Sequence, residues 1–96
     1  MFYAYVIKSL NHSFYYKGHC EDLERRLLQH NAGMTHSIEM FAPFKLVYFE
    51  EFQSIQDAIK REKYIKGKTR IWKIELINSR NPQWLDLSLI SDDWTE

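Results

Sequence analysis

The stretch FYYKGHCEDLERRLLQHN, residues 14–31, passes from an extended aromatic segment into an amphipathic helix. Before it, FYAYVIKS at residues 2–9 is also rich in aromatic and β-branched residues, which favour strands. The intervening LNHS supplies turn residues. The sequence therefore predicts a β-hairpin, with its second strand over 13–18, that leads into a helix over 21–32.

Three further elements are predicted after this helix. A loop over 34–43 leads into FKLVYFEEF, residues 44–52, which reads as a third strand. Residues 54–66 form the clearest helix, with Ser54 as its N-cap, and residues 69–78 form a last helix. The order β-β-α-β-α-α predicts an α+β fold, a small three-stranded antiparallel sheet flanked by helices.

Length and composition are those of one small domain with a modest, aromatic-rich core: the chain has 96 residues, of which 16% are Phe, Trp or Tyr. Cys20 is the only cysteine, so an intramolecular disulfide is impossible and a reducing compartment is expected. The N-terminal apolar run is too short to span a bilayer and lacks a basic flank. We expect a cytoplasmic protein with no membrane partner.

The formal net charge of zero conceals an uneven distribution. Residues 81–96 contain four acidic side chains and no basic one, which leaves 13 basic and 9 acidic residues, or +4, in residues 1–80. We therefore predict a domain over 1–80 and an acidic C-terminal tail over 81–96. The tail is expected to dock on the domain through its apolar side chains: Trp84, Leu85, Leu87 and Leu89.

Residues 60–73, KREKYIKGKTRIWK, contain seven basic side chains and one acidic one, Glu62. From charge alone, a solvated helix face is the simpler interpretation. A local basic patch can nevertheless attract phosphates whatever the total charge of the chain.

Glu62 falls on the inward stripe of the helix over 54–66, where a carboxylate needs a partner because an unpaired buried charge is costly. One interpretation pairs it at the stripe edge with Lys66 or Arg70. The other makes it a metal ligand or a general base that faces a cleft. The apolar members of the stripe are Ile55, Ala58, Ile59 and Ile65.

Arg26 and His30 are four residues apart on the helix over 21–32, so their side chains are neighbours. Both fall on or beside the stripe marked by Leu23 and Leu27. A snorkelling arginine and a boundary histidine near the helix C-terminus would explain them without any function. Arg25 points elsewhere.

Strand alternation places two tyrosines on inward faces of the hairpin. Tyr5 shares a face of the first strand with Tyr3 and Ile7, and Tyr16 shares a face of the second with Gly18. Tyrosine is commonly a core residue with its hydroxyl at the rim. Inward polar groups on three different elements nevertheless favour a shared site.

These residues together resemble the GIY-YIG nuclease superfamily over residues 2 to about 78. The resemblance is to its small stand-alone bacterial members, which are similar to the nuclease domain of the excinuclease of nucleotide-excision repair. The chain departs from the family pattern in two places. Lys17 stands where an aliphatic residue is usual, and the segment YAY, residues 3–5, lacks the glycine of the family's first motif. The matching positions are Tyr5, Tyr16, Gly18, Arg26, His30 and Glu62.

The resemblance implies a metal-dependent endonuclease that hydrolyses phosphodiester bonds in DNA, with a structure-selective role in repair or recombination. Glu62 would hold one Mg²⁺ or Mn²⁺ ion, and Arg26 would grip the phosphate. Tyr16 and His30 remain rival general bases, and Tyr5 would position one of these groups. The alternative is a nucleic-acid-binding module on the same fold with little or no catalysis.

The basic segment would then line the approach of the nucleic-acid backbone and position it without reading sequence. Specificity would come from substrate structure or from a protein partner that supplies targeting. The predicted phosphate contacts are Lys60, Lys63, Lys66, Lys68, Arg70 and Lys73.

Overall fold

The structure, a computed structural model, describes residues 1–89. The predicted α+β fold and its element order are confirmed. Two single-turn 3-10 helices, at Glu39–Phe41 and Leu87–Leu89, were not predicted. The main elements are β1 (Phe2–Ser9), β2 (Tyr15–Cys20), α1 (Leu23–Asn31), β3 (Phe44–Phe52), α2 (Ile55–Lys66) and α3 (Arg70–Arg80).

The three strands form an antiparallel sheet in the order β2-β1-β3, so β2 is an edge strand. It begins two residues later than predicted and continues through Cys20, past the expected end at Gly18. Tyr5 in the central strand lies opposite Gly18 of β2 and Phe49 of β3. The extension of β2 adds His19 to the strand, which matters for the site below.

Helices cover both faces of the sheet, and each face has its own core. On the α1 face, the predicted alternation is confirmed, because Tyr3, Tyr5 and Ile7 pack together against that helix. On the other face, Val6 and Val47 pack against residues of α2 and α3. The sheet thus separates one aromatic-rich core from a second, smaller one.

The helix boundaries follow their caps. The side chains of Asp22, Ser54 and Thr69 each accept a hydrogen bond from the backbone N–H three residues later, which satisfies a free donor of the first turn. The expected place of Ile55 in the inward stripe of α2 is wrong, because this side chain is 41% exposed. The first turn of α2 is exposed throughout, and the buried stripe begins at Ala58.

The chain after α3 folds back on β3. The buried Asn81 amide donates to the carbonyl oxygens of Val47 and Leu85, at 3.0 and 2.9 Å. The Asp86 carboxylate accepts the Leu46 N–H at 3.2 Å, and Leu87 packs on the α1-side core. The predicted domain boundary at residue 80 stays a prediction, and residues 90–96 of the acidic tail lie outside the described residues. Within residues 1–89, no helix is long and apolar enough to cross a membrane.

Candidate active site

The edge strand β2 presents its side chains alternately to α1 and to α2. Tyr16 packs with the core on the α1 side. His19, three residues on and therefore on the opposite face, contacts Glu62 of α2. One short strand therefore carries groups that belong to both sides of the site.

On the α1 side, the buried Tyr5 hydroxyl lies 2.8 Å from His30 Nε2, and Thr35 Oγ1 lies 2.9 Å from His30 Nδ1. Arg26 Nη1 donates to Gln29 Oε1 at 3.1 Å, and interaction with the nearby Tyr5 hydroxyl raises the pKa of Arg26.

Burial keeps both members of the Tyr5–His30 pair neutral near pH 7. It raises the pKa of Tyr5 far above its ordinary value, against the opposing effect of Arg26. Burial, reinforced by the positive charge of Arg26, lowers the pKa of His30 to about 4. His30 is only 1% exposed, and both of its ring nitrogens are already engaged.

The Tyr5 side chain occupies the space next to Gly18, so a larger residue than glycine does not fit there. A Cβ atom at this position would lie 2.5 Å from the Tyr5 hydroxyl oxygen and 2.7 Å from its Cζ. The Tyr5 ring passes over Gly18, directly opposite in the register, on its way to His30. A cross-strand contact therefore explains why a glycine stands at position 18, one of the positions that match the family.

On the α2 side, both carboxylate oxygens of Glu62 are engaged. Oε1 lies 2.5 Å from His19 Nδ1, and Oε2 lies 2.7 Å from Lys66 Nζ. Burial alone would raise the pKa of Glu62, but the hydrogen bonds from Lys66 and His19 outweigh it and lower that pKa. The predicted pairing with Lys66 is thus present, whereas Arg70 bonds to Ser13 instead.

His19 is the member of this cluster that sequence reasoning missed. Its contact with Glu62 spans 43 positions, so no local pattern reports it. The available signal was alternation, since the residue after Gly18 must face away from Tyr16 and toward the helices of the other side.

Tyr16 links the two sides. Its ring centroid lies 5.1 Å from that of His30 and 6.4 Å from that of Tyr5. The pKa of Lys66 is raised first by its bond to Glu62 and further by the Tyr16 phenol. The same phenol also contributes to the raised pKa of Arg26. Tyr16 thus packs with the buried pair on the α1 side, and the strand that carries it places His19 against Glu62 on the other side.

The ligands available to a metal ion are few. Within residues 1–89, no three His, Cys, Asp or Glu side chains converge. Glu62 and His19 together offer one carboxylate and one imidazole at a half-open position. Mg²⁺ keeps several waters and needs only one or two carboxylates, so this pair fits a single divalent ion but not an all-protein cage. Such an ion would compete with Lys66 for Glu62.

The predicted phosphate contacts have different surroundings. Lys60 and Lys63 are exposed on α2, and Lys66 is bound to Glu62. Lys68 lies over the aromatic ring of Tyr64, 4.3 Å from its centroid. Arg70 and Lys73 line a cleft that they share with Lys17, and Lys73 also bonds to the Lys66 carbonyl.

A second, open cleft of about 670 Å³ lies beside Arg26, lined by residues of mixed charge from the end of β2 and from α1. Cys20 lies in its wall. Burial raises the pKa of this thiol to about 11, so it stays protonated at neutral pH and is not an activated nucleophile.

Comparison with known proteins agrees with the resemblance noted from the sequence. Residues 1–75 match the family model of the GIY-YIG catalytic domain. A UPF0213 protein of Clostridium perfringens is 40% identical over 82 residues, which is 84% of this chain and 87% of that relative. One of Staphylococcus saprophyticus is 36% identical over 77 residues, 79% of this chain and 93% of the relative.

A solved structure has the same fold. The solution NMR structure of a UPF0213 protein from Bacillus halodurans aligns with a TM-score of 0.58 and 24% sequence identity. The alignment covers 95% of this chain and 98% of that one.

Proposed function

Because this chain belongs to the GIY-YIG family, we propose that it is a metal-dependent endonuclease that hydrolyses phosphodiester bonds in DNA. The observation that carries the proposal is the position of Tyr16 on the edge strand. Its ring packs against Tyr5 and His30 on one side, and the same strand places His19 against the Lys66–Glu62 pair on the other. Phosphodiester hydrolysis needs such groups around one phosphate: a group to orient the attacking water, a cation for the phosphoryl oxygens and a metal ligand.

Arg26 is the proposed phosphate clamp. Its planar fork matches two phosphate oxygens, its bond to Gln29 holds part of that fork in place, and the Tyr5 hydroxyl lies close enough to raise its pKa. Tyr5 is itself held by His30. Tyr5 and His30 are therefore proposed as positioning residues that aim Arg26.

Of the two rival bases, the geometry favours Tyr16. His30 is 1% exposed and uses both ring nitrogens within the protein, so a water at the phosphate has no free nitrogen to approach. Tyr16 is only half-buried, and among residues 1–89 its hydroxyl has no hydrogen-bond partner that would occupy it. We therefore assign Tyr16 to orient the attacking water and to take its proton.

Glu62 is proposed to hold one Mg²⁺ or Mn²⁺ ion, with His19 beside it. When bound, the ion would polarise the phosphate and stabilise the leaving oxygen. The contribution of the chain is to keep the carboxylate ionised, which the hydrogen bonds from Lys66 and His19 do by lowering the pKa of Glu62.

Substrate choice is proposed to follow DNA structure rather than sequence. The cations around the site are of the type that contacts phosphates, and such contacts position a strand without reading its bases. We therefore propose a structure-selective enzyme of repair or recombination that acts in the cytoplasm, with a protein partner for targeting where its own selectivity is too weak.

A second candidate function rests on the state of Glu62. Both of its oxygens already have partners within the protein, as a purely structural carboxylate would. A nucleic-acid-binding module with little or no catalysis would retain this arrangement, and metal would then be irrelevant to its action.

A cleavage assay separates the two. Labelled single-stranded, duplex, flapped and branched DNAs, with RNA counterparts, are incubated with Mg²⁺, Mn²⁺ or EDTA. We expect metal-dependent cutting that falls at least about 100-fold in Glu62→Gln and Arg26→Ala. Glu75→Gln, a matched change at an exposed carboxylate of α3, should cut like the wild type.

Two outcomes would contradict the proposal. Binding without cutting of any substrate would favour the binding module. Cutting of RNA alone would overturn DNA as the substrate.

A further inference from the structure

A basic cleft lies against the α2 and α3 side of β2, with a volume of about 310 Å³. Its lining, as far as residues 1–89 contribute to it, contains three cationic side chains and no carboxylate. The lining residues are Ser13, Phe14, Tyr15, Lys17, Arg70 and Lys73.

The three cations bond to neutral oxygens of the chain. Lys17 Nζ donates to the Tyr15 carbonyl at 3.2 Å, and Lys73 Nζ donates to the Lys66 carbonyl at 3.5 Å. Arg70 donates to the Ser13 hydroxyl and lies over the Tyr15 ring. No ion pair within residues 1–89 neutralises any of the three.

These like charges repel one another. Lys17, Arg70 and Lys73 line the same cleft, and no carboxylate of residues 1–89 stands among them. Cations held together without a counter-ion cost folding free energy, and an anion that binds among them relieves that cost. The cleft is therefore electrostatically complementary to a phosphate.

The cleft adjoins the proposed catalytic groups. Lys17 shares a face of β2 with His19, which bonds to Glu62. Lys66 forms the second link, because its ammonium group binds Glu62 and its carbonyl accepts from Lys73.

We propose that Lys17, Arg70 and Lys73 bind a backbone phosphate next to the scissile one, so that the substrate strand runs from this cleft across β2 toward Arg26. The inference rests on the proposed function and adds a path for the strand. It also gives a role to Lys17, which stands where the family pattern has an aliphatic residue.

The test measures binding apart from cleavage. Fluorescence anisotropy of a labelled single-stranded DNA is recorded in EDTA, from about 50 to about 200 mM NaCl, for the wild type, Lys17→Leu and Lys73→Gln. Leucine retains an apolar stem at position 17, and Lys73 is only half-buried, so both variants should fold. We expect about fivefold weaker binding for each variant, and a slope of log affinity against log salt that is shallower by about 0.7.

The control is Arg80→Gln, which removes the same charge from the far end of α3, about 10 Å along the helix from Lys73. It should bind DNA like the wild type.

Wild-type affinity and salt slope in both cleft variants would overturn the inference, even if the protein cuts DNA. If DNA binding is weakened only in these variants, and the protein cuts no DNA in the presence of metal, the cleft would still be a phosphate-binding site, but the proposed nuclease activity would be rejected. If inorganic phosphate at the same concentration as the DNA displaced the DNA, the cleft would be a site for free phosphate, and the inference would be overturned.

Discussion

The two sides of β2 are built in different ways. On the α1 side, Tyr5 and His30 are 2% and 1% exposed, and they are neutral and hydrogen-bonded to each other. On the α2 side, the partners of Glu62 are ionisable groups near solvent, since the side chains of His19 and Lys66 are 38% and 49% exposed. Packing assembles the first side, and charge assembles the second.

This difference fits the proposed division of labour. Close-packed groups are held in one position, which suits residues that aim an arginine. Half-exposed ion pairs exchange partners at low cost, which suits a carboxylate that must accept a metal ion. Substitutions on the α1 side should therefore cost stability as well as activity, whereas those on the α2 side should cost activity with little effect on folding.

The largest expected effect concerns the two adjacent arginines of α1. Arg26→Ala should lower the cleavage rate by about 10²–10³-fold, because it removes the cation aimed at the phosphate. Arg25→Ala removes an exposed neighbour and should stay within about twofold of the wild type. Initial rates on the preferred DNA, at saturating metal, measure both, and equal losses in the two variants would reject the assignment of Arg26.

Gly18→Ala should break the α1 side through packing. The new methyl group would overlap the Tyr5 hydroxyl, so we expect a loss of about 2–3 kcal/mol in the free energy of unfolding. Gly67→Ala is the matched control, because its Cβ meets only backbone oxygens at 3.6 Å and should be neutral or slightly stabilising. Urea denaturation compares the two variants, and equal stabilities would show that Tyr5 is not held against Gly18.

The pH dependence of stability tests the buried histidine. The folded pKa of His30 is about 4, below its ordinary value of about 6.5. As pH falls, the unfolded chain therefore binds the proton before the folded chain does. The stability that the neutral His30 contributes is complete above about pH 6.5 and is lost toward pH 4. It amounts to about 3 kcal/mol at most.

The variant for this test is His30→Gln. The stability difference between the wild type and this variant should shrink between pH 7 and pH 4, as followed by thermal unfolding. His36→Gln, at a side chain that is 94% exposed, should show a constant difference from the wild type. A constant difference for His30→Gln as well would mean that His30 is not held neutral by burial.

The smallest effect is expected for the ion pair on the α2 side. Lys66→Gln should lower the free energy of unfolding by less than about 1 kcal/mol, because Lys66 is half exposed and its helix pair is screened by solvent. The difference from the wild type should vanish in high salt. A larger loss of unfolding free energy that persists in high salt would show that this pair is held by packing, as Tyr5 is, and not by charge.

Local patterns predicted much of this molecule. Strand alternation placed Tyr5 with Tyr3 and Ile7, and the helical period placed Glu62 on the inward face of α2. The element order followed from turn and cap residues. These features depend on sequence separations of a few residues, where geometry is fixed by the backbone alone.

The remaining features depend on tertiary pairing. The contact of His19 with Glu62, the overlap of Tyr5 with Gly18 and the convergence of Lys17 with Lys73 each join separate elements. The prediction that Ile55 is buried was wrong for a related reason. Hydrophobicity marks the apolar stripe but does not show where along α2 contact with the sheet begins.

Tyr16 is the point at which the two sides meet, so the cleavage rate of Tyr16→Phe tests the account most directly. The variant keeps the ring that packs against His30 and removes only the hydroxyl. We predict wild-type stability and DNA binding, with metal-dependent cleavage reduced at least about 100-fold. Cleavage within a few-fold of the wild-type rate would contradict the account, because the hydroxyl proposed to take the proton of the attacking water would then have no part in the reaction.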